Sequence, residues 1–495
     1  MQNEDTKECM GTGIEGLDDV LGGGLTPNRL YVLEGAPGAG KTTVALQFLM
    51  EGARQGEPVL YVTLSETGGE LEGVARSHGW DLTGVHIREM LPSAESLQPD
   101  EQYTMFHPSE VELSETTQRI LDDVQALSPR RIVFDSLSEL RLLSGGSLRY
   151  RRQILALKQF FSGRQCTVLL LDDMASTHRD QQVQSIAHAV LRLEQSHSDY
   201  GAVRRRLVVV KFRGKAFRGG YHDYRIIRGG LQVFPRLVAS EHVNPMRPEK
   251  LPSGIDSLDR LMGGGLERGT STLFVGAPGT GKSTVAVQFA IAAASRGENA
   301  AVFLFDESIN TLRTRCASMG MDLERWLEQG RIHLRQVDPG EMSPGELVHL
   351  IRQAVEHQQA DVVIIDSLNG YLNAMPDDRF LIVQLHELLT YLGQAGVASL
   401  LVGAQHGLIG TNMQSPVDAS YLADAIVLLR YYEAEGEVRQ AISVLKKRGG
   451  THERSIRAFR MDERGLHVGE PLRNFRGILT GVPIPLEPAT PATGR

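Results

Sequence analysis

Short apolar runs alternate along the chain with longer stretches in which apolar residues recur at helical spacing. In the first half the runs are LYVLEG at 30–35, VLYVTL at 59–64, RIVFD at 131–135 and TVLLLD at 167–172. Runs of this kind are typical of strands that are buried on both faces. KTTVALQFLMEGARQG, which begins at 41, has helical spacing. The pattern predicts an α/β fold, with a mostly parallel twisted sheet flanked by helices.

The whole pattern occurs twice. The glycine-rich segment GAPGAGKTT returns as GAPGTGKST, and Lys41 and Lys282 within these segments are 241 positions apart. The same offset carries TGIEGLDDVLGGGL onto SGIDSLDRLMGGGL, and AVFLF, DVVIID and ASLLVG repeat the later strands. A repeat of this length predicts two tandem domains of one architecture.

The domain boundaries follow from the repeat and from the composition between its copies. We expect a first domain at 1–239 and a second at 253–470. The segment 240–252 contains three prolines and is typical of a linker. The proline-rich tail at 471–495 is expected to be partly disordered.

Composition and charge narrow the function classes. Charged residues make up 23% of the 495 residues and the formal net charge is -8, which disfavours a strongly basic nucleic-acid-binding protein. Cys9, Cys166 and Cys316 form no CxxC pair, so neither a zinc site nor a disulfide framework is expected. The N-terminus lacks the pattern of a signal peptide, and no apolar run has the length of a membrane helix. We expect a soluble, cytoplasmic protein.

The two glycine-rich segments match GxxxxGK[ST], in which backbone N–H groups hold phosphate oxygens and the lysine contacts the terminal phosphates. Each follows a predicted strand and opens a predicted helix, which favours an ATP site over a chance glycine turn. The residues expected to bind ATP are Gly35, Gly38, Gly40, Lys41, Thr42 and Thr43 in the first copy and Gly276, Gly279, Thr280, Gly281, Lys282, Ser283 and Thr284 in the second.

Asp135 and Asp366 each end a buried apolar run. A carboxylate in this position orders the water shell of Mg²⁺, and the hydroxyl after the loop lysine binds the ion directly. We therefore expect Thr42 with Asp135, and Ser283 with Asp366, to hold Mg²⁺. The alternative is a strand-end acid that caps the next turn.

Acidic residues also follow the second strand of each copy, where a carboxylate can orient the attacking oxygen. The candidates are Glu66 in the first copy and Asp306 with Glu307 in the second, whereas Ser65 takes the place of the first acid. If the acids act as a pair, the two copies differ in rate. An ordinary charged loop is the alternative.

From TGIEGLDDVLGGGL through both loops to RNFRGILTGVP, the chain resembles the KaiC family of double-domain RecA-like ATPases. In that family a K-x-R-G segment reaches the phosphates bound to a neighbouring subunit. Lys211 and Arg213 in KFRG, and Lys446 and Arg448 in KKRG, match this segment. The resemblance implies a nucleotide-dependent homo-hexameric ring in which these cations stabilise the transferred phosphoryl group. A solvated basic hairpin is the alternative.

The resemblance also implies autophosphorylation in the second domain. SPVDASYLADAIVLLRYY places Ser420 and Tyr421 at the family's Ser-Thr pair and Ser415 at a nearby hydroxyl position. Ser420 matches the family, but Tyr421 replaces threonine. Serine autokinase activity is therefore expected, while the ordered two-site cycle of the clock proteins is not. A serine that simply starts the next strand is the alternative.

These observations favour an ATPase and serine autokinase that works as a signalling or timing switch, with Kai-type or other signalling proteins as partners. Two alternatives stay open: a RecA/DnaB-type DNA-dependent motor and an ATP-stabilised scaffold with little turnover. Nucleic acid is not the expected partner, although RRR at 204–206 could line a channel. Ser65 in the first copy leads us to expect that the first loop mainly supports assembly and that the second mainly transfers or hydrolyses.

Overall fold

In the computed structural model the chain divides into two compact units, unit one at 1–236 and unit two at 237–495. The structure describes residues 9–90, 108–144, 146–173, 181–197, 201–242, 249–373, 378–404, 421–480 and 483–485. Among these residues, no helix combines the length and apolar character that crossing a bilayer requires.

The described residues of unit one form one nine-stranded sheet with helices around it. Its strands are β1 (Leu30–Gly35), β2 (Val59–Thr63), β3 (Val85–Glu89), β4 (Arg131–Asp135), β5 (Thr167–Asp173), β6 (Ala189–Ser196), β7 (Arg204–Phe212), β8 (Tyr221–Ile227) and β9 (Gly230–Phe234). Its helices are α1 (Glu15–Val20), α2 (Lys41–Arg54), α3 (Gly68–His78), α4 (Pro108–Leu127), α5 (Leu137–Leu143), α6 (Ser147–Ser162) and α7 (Gln181–Ile186).

The strand order is β3-β2-β4-β5-β1-β6-β7-β8-β9. The first six strands of this order, β3-β2-β4-β5-β1-β6, are parallel to their neighbours. Strands β7, β8 and β9 extend the sheet with antiparallel pairings. Strand β1, which precedes the first loop, therefore lies in the middle of the sheet.

Both faces of the sheet of unit one are covered, which explains the uninterrupted apolar runs. Leu30 and Val32 of β1 pack into one buried cluster, whereas Tyr31 and Leu33 pack into another. Because successive side chains of a strand point to opposite faces, these two clusters are the two covered faces of the sheet. The predicted fold class is confirmed.

Unit two repeats this architecture. Its strands are β10 (Lys250–Leu251), β11 (Leu266–Glu267), β12 (Ser271–Gly276), β13 (Asn299–Leu304), β14 (Ile332–Gln336), β15 (Ala360–Asp366), β16 (Ala398–Ala404), β17 (Ala425–Ala434), β18 (Glu437–Lys447), β19 (Arg457–Asp462), β20 (Gly465–Pro471), β21 (Phe475–Arg476) and β22 (Ile484–Pro485). Its helices are α8 (Asp256–Leu261), α9 (Lys282–Ser295), α10 (Ile309–Ser318), α11 (Leu323–Glu328), α12 (Pro344–Glu356), α13 (Leu368–Asn373) and α14 (Asp378–Gln394).

The large sheet of unit two has the order β14-β13-β15-β16-β12-β17-β18-β19-β20, which is the order of unit one strand for strand. Strands β10 with β11, and β21 with β22, form two small antiparallel pairs. Leu273 and Phe274 of β12 point into different buried clusters, so this sheet is also covered on both faces. The repeat in the sequence is therefore a repeat of the fold.

Candidate functional site

Each glycine-rich loop joins the central strand of its sheet to a helix. Helix α2 begins at Lys41 and α9 at Lys282, each directly after a glycine with a left-handed backbone, Gly40 at φ 96° and Gly281 at φ 95°. A Cβ on Gly40 would lie 2.7 Å from Cδ1 of Ile226, so the position requires glycine. The amino end of each helix points its N–H groups into the loop, which is the geometry that binds phosphate.

The two loop lysines have different partners. Nζ of Lys41 donates to the carbonyl oxygen of Gly35 at 2.9 Å and lies 2.7 Å from Oδ1 of Asp173. Nζ of Lys282 donates to the carbonyl oxygen of Ala277 at 2.9 Å, and burial lowers the pKa of Lys282 to about 8. Gly35 pairs with Asp173 in the sheet, whereas the equivalent Gly276 pairs with Ala404. Only the first lysine therefore has a carboxylate at this position.

The structure brings the predicted magnesium residues together in both units. Asp135 is buried and accepts a hydrogen bond from Tyr61 at 2.5 Å. Burial raises the pKa of Asp135, and hydrogen bonds from Tyr61 and Thr42 oppose the rise. Burial likewise raises the pKa of Asp366, opposed first by a hydrogen bond from Ser283. A hydroxyl and a carboxylate fit Mg²⁺ that arrives with the substrate phosphates and keeps several of its waters.

Glu66 follows β2 close to these residues. Its Oε2 is buried and has no hydrogen-bond partner among the described residues. Burial, then the charge of Asp135, raises the pKa of Glu66, while Lys41 opposes the rise. A carboxylate with an unoccupied oxygen and a raised pKa is suited to accept a proton from water.

Glu307 occupies the equivalent position of unit two but is held by an arginine. Nη2 and Nε of Arg315 lie 2.6 and 3.1 Å from the two carboxylate oxygens of Glu307. Nη1 of Arg315 donates to the hydroxyl of Thr284 in the second loop. The neighbouring acid, Asp306, accepts a hydrogen bond from Ser367. The two acids predicted as a pair therefore have separate partners.

The K-x-R-G residues lie at the other end of the central strands. The backbone N–H of Arg213 bonds to the carbonyl oxygen of His188, whose own N–H bonds to Leu30, the first residue of β1. In unit two, Arg448 bonds to Asp424 and Asp424 bonds to Ser271 in the same way. The predicted cations thus neighbour the amino ends of β1 and β12, whereas the loops follow their carboxyl ends. Lys211 in β7 pairs with Val190 of the neighbouring strand β6, and Lys446 in β18 pairs with Ile426 of β17.

The surroundings of the two arginines differ in charge. A cavity of about 220 Å³ in unit one is lined by Arg29, Lys158, His188 and Arg213, and none of the described residues that line it is acidic. In unit two the position of His188 is taken by Asp424, whose Oδ1 lies 3.3 Å from Nη1 of Arg448. The arginine of unit two is therefore partly neutralised.

Of the predicted phospho-acceptors, Ser415 and Ser420 lie outside the described residues. Tyr421 is 53% exposed, and its carbonyl oxygen accepts a hydrogen bond from Arg448 at 3.0 Å. Tyr421, the one described residue of the predicted acceptor set, therefore lies beside the K-x-R-G arginine of unit two.

The sequence predictions did not include Arg315 or His188, and they did not include the ion pair between Asp173 and Lys41. A comparison of the two copies position by position would have found them. The offset of 241 places Val74 opposite Arg315, and the sheet registers place Ala404 opposite Asp173. Titratable residues that occur in one copy only are signals that a search for shared motifs passes over.

The fold and these sites define the class. A RecA-like P-loop ATPase has a glycine loop that opens a helix, with a hydroxyl and a strand-end carboxylate beside the loop. It also has a glutamate that follows the strand next to the one ending in that carboxylate. Both units carry the full set.

Comparison with known proteins gives the family. A family model described as "ATPase: KaiC" matches residues 10–238 and again 251–473. The chain is 28% identical to the circadian clock protein KaiC3 of Synechocystis, over 98% of this chain and 96% of that protein. It is also 28% identical to the circadian clock oscillator protein KaiC of Synechococcus elongatus, over 96% and 91% of the two chains. The chain belongs to the KaiC ATPase family and is a KaiC-like ATP-binding protein.

Proposed function

We propose that this chain hydrolyses Mg²⁺-ATP in both units, at sites that are completed by a second copy in a homo-hexameric ring. The observation that carries this proposal is the separation of each loop from the K-x-R-G cations of its own unit. The comparisons do not favour the DNA-motor alternative.

The length of the central strand makes the argument quantitative. The loop of unit one starts at the carboxyl end of β1, and Arg213 lies near the amino end, beside Leu30. A six-residue strand with a rise of about 3.3 Å per residue puts these ends about 16 Å apart. An arginine side chain does not span that distance, so Arg213 serves a phosphate bound elsewhere. The same holds for Arg448 and the second loop.

Each residue has a distinct task in the proposed reaction. The loop amides and lysines hold the triphosphate, while Thr42 with Asp135 and Ser283 with Asp366 hold the metal. When bound, Mg²⁺ neutralises charge on the phosphate oxygens. Glu66 and Glu307 accept the proton of the attacking oxygen, and Asp306 stays a candidate partner to Glu307.

Serine autophosphorylation in unit two is the second part of the proposal. The hydrogen bond from Arg448 to the carbonyl of Tyr421 supports it, because the cation that serves a neighbour's phosphate is tied to the residue after Ser420. An acceptor there and a phosphate bound by Arg448 would lie close together. Ser420 is the proposed acceptor, with Ser415 and Tyr421 as alternatives.

The names of the relatives, which are circadian clock proteins, support a role as a signalling or timing switch as part of this proposal. We propose Kai-type or other signalling proteins as partners that distinguish the nucleotide and phosphorylation states of the ring.

A mixing experiment tests the shared sites. One variant, Lys41→Ala with Lys282→Ala, lacks functional loops, and another, Arg213→Ala with Arg448→Ala, lacks the cations. Each alone is expected to be inactive. Mixed in equal amounts before assembly, they recover roughly a quarter of the sites, because a chain with intact loops then meets a neighbour with intact cations. A mixture as inactive as its components would disprove completion by a second copy.

Peptide mapping after incubation with Mg²⁺-ATP tests the kinase. Phosphate is expected on Ser420, and Ser420→Ala is expected to remove it while Ser415→Ala and Tyr421→Phe retain it. Glu307→Gln is expected to bind ATP and to slow the incorporation. Phosphate incorporation that is unchanged in Ser420→Ala would contradict the assignment.

A further inference from the structure

The two glutamates proposed as bases differ in the hydrogen-bond and ion-pair partners of their carboxylates. Glu66 has one carboxylate oxygen buried without a hydrogen-bond partner among the described residues, whereas both oxygens of Glu307 contact Arg315. The glutamates lie at equivalent positions, 241 residues apart. The difference therefore arises from a side chain outside the shared motifs.

That side chain is on the helix after the glutamate. Helices α3 and α10 begin at Gly68 and Ile309, which are equivalent positions, so Val74 takes the place of Arg315 in unit one. Val74 packs against the apolar core of unit one. Valine cannot form an ion pair, and the Glu66 carboxylate is left without a cation from that helix.

Arg315 contacts the nucleotide loop as well as the glutamate. Its Nη1 donates to Thr284, the residue after the magnesium ligand Ser283. The guanidinium therefore links the base to the part of the loop where the metal and the terminal phosphates bind. Bidentate arginine–carboxylate contacts fix geometry and are among the stronger ionic hydrogen bonds.

The other charged and titratable groups that face this pair do not take over the role of Arg315. Asp366 lies on the neighbouring strand end, and Lys282 and Cys316 also interact electrostatically with the cluster. Lys282 donates to the loop carbonyl of Ala277. In the part of the chain that the structure describes, Arg315 is the cation that Glu307 pairs with.

We propose that Arg315 is a positioning residue that restrains Glu307 and so slows turnover at the second site, while Glu66 in the first site is unrestrained. The inference rests on the proposed function of the glutamates. In hydrolysis the water oxygen forms a bond to the γ-phosphorus and the bond to the β,γ-bridging oxygen breaks. The electron pair stays on ADP, and a water proton passes to the glutamate. Because both oxygens of Glu307 are held by the guanidinium of Arg315, neither oxygen is free to hydrogen-bond the attacking water.

With this restraint the first site hydrolyses ATP faster than the second, which is the opposite of the expectation drawn from Ser65. The first site lacks the paired acid, but one carboxylate oxygen of its proposed base, Glu66, has no hydrogen-bond partner among the described residues. The second site has both acids, but Arg315 contacts both oxygens of its proposed base, Glu307. Slow hydrolysis at the second site also preserves ATP there for transfer to a hydroxyl.

The test compares the two sites within the full-length chain. Arg315→Val, which installs the residue of unit one, is made in a Glu66→Gln background so that turnover reports on the second site. We expect kcat to rise by roughly tenfold, while the affinity for a non-hydrolysable ATP analogue changes by less than about twofold. Arg315→Lys is expected to lie between the two, since an ammonium offers a single contact.

The reciprocal variant is Val74→Arg in a Glu307→Gln background, which is expected to lower kcat of the first site. It keeps the inference testable if Arg315→Val does not fold, which thermal melting would reveal. A kcat for Arg315→Val that is unchanged or lower, or analogue affinity that weakens in parallel, would overturn the inference.

A third variant separates this inference from the function on which it rests. The double variant Glu66→Gln with Glu307→Gln is expected to lose steady-state turnover. If that double variant hydrolyses ATP at the wild-type rate, the proposed base roles fail. If it is inactive and Arg315→Val changes nothing, only the restraint by Arg315 fails.

Discussion

Lys41 of the first nucleotide loop is paired with Asp173 at the end of the neighbouring strand, with 2.7 Å between Nζ and Oδ1. Only 9% of the lysine side chain and 32% of the aspartate side chain are exposed. A triphosphate that binds the first loop must replace this carboxylate as the partner of the lysine.

The first prediction follows from that exchange. Asp173→Ala is expected to tighten ATP binding at the first loop by about fivefold, because one partly exposed ion pair no longer has to break. Titration with a fluorescent ATP analogue in a Lys282→Ala background measures the effect. Ala404→Asp in a Lys41→Ala background is the matched control, since it adds a carboxylate at the equivalent place in unit two and is expected to weaken binding there. Unchanged or weaker binding in Asp173→Ala would show that the carboxylate does not compete with phosphate.

A second prediction concerns the pH dependence of the first site. Burial and the charges of Asp135, Glu70 and Asp173 raise the pKa of Glu66 above the range of an ordinary glutamate. The proposed base acts when deprotonated, so first-site turnover is expected to fall as the pH drops through this raised pKa. We expect the acidic limb of kcat/KM, measured in Glu307→Gln, to lie above the pKa of an ordinary glutamate. A profile that stays flat down to about pH 4.5 would contradict the assignment.

A third prediction concerns assembly. Burial and the charges of Arg29, Arg213, Lys158 and Lys211 lower the pKa of His188, so the free subunit has a neutral ring at pH 7. Phosphates arriving from a neighbour would offset these cations and raise the pKa, so that assembly takes up a proton. ATP-dependent assembly, followed by light scattering, is therefore expected to strengthen as the pH falls from about 8 to 6.

The control for this prediction is His188→Gln, which cannot take up the proton and is expected to assemble with little pH dependence. If His188→Gln keeps the same pH dependence as the wild type, the histidine is not the group that titrates.

The fourth prediction concerns the stability of unit one. Arg131 is fully buried, lies 2.5 Å from Glu57 and donates to the carbonyl oxygens of Gly11 and Phe48. Arg131→Met leaves these acceptors without their donor, and the free energy of unfolding of unit one is expected to fall by about 3 kcal/mol. Urea unfolding measures the change. Arg54→Met, which breaks an exposed ion pair with Glu51, is the control and is expected to have no measurable effect. Equal effects of the two variants would contradict the burial argument.

Much of the scaffold could be predicted from the sequence because it depends on local pattern. The run LYVLEG is strand β1 and RIVFD is strand β4, with the predicted bounds. The glycine loops, the expected magnesium residues and Glu66 could be proposed from the sequence because each lies next to a recognisable buried strand. Periodicity and spacing are sufficient for features of this kind.

The side-chain pairings could not be predicted, because they depend on which elements become neighbours. Asp173 reaches Lys41 only because β5 lies beside β1 in the sheet, although 132 positions separate the two residues. Arg315 reaches Glu307 and Thr284 because the first turns of α10 lie over the second loop. Neither relationship is visible in the alternation of apolar and polar residues.

The carboxylates near the loop and near the K-x-R-G arginine are placed differently in the two units. Unit one has Asp173 at the loop and His188 beside the arginine, whereas unit two has Ala404 at the loop and Asp424 beside the arginine. Added salt screens an unpaired, exposed charge more than a charge in a partly buried ion pair. The screening length is about 8 Å at physiological ionic strength. In the proposed ring, ionic strength would therefore loosen contacts between copies mainly through unit one and nucleotide capture mainly through unit two, so that a single chain would carry two separate sensitivities to its ionic surroundings.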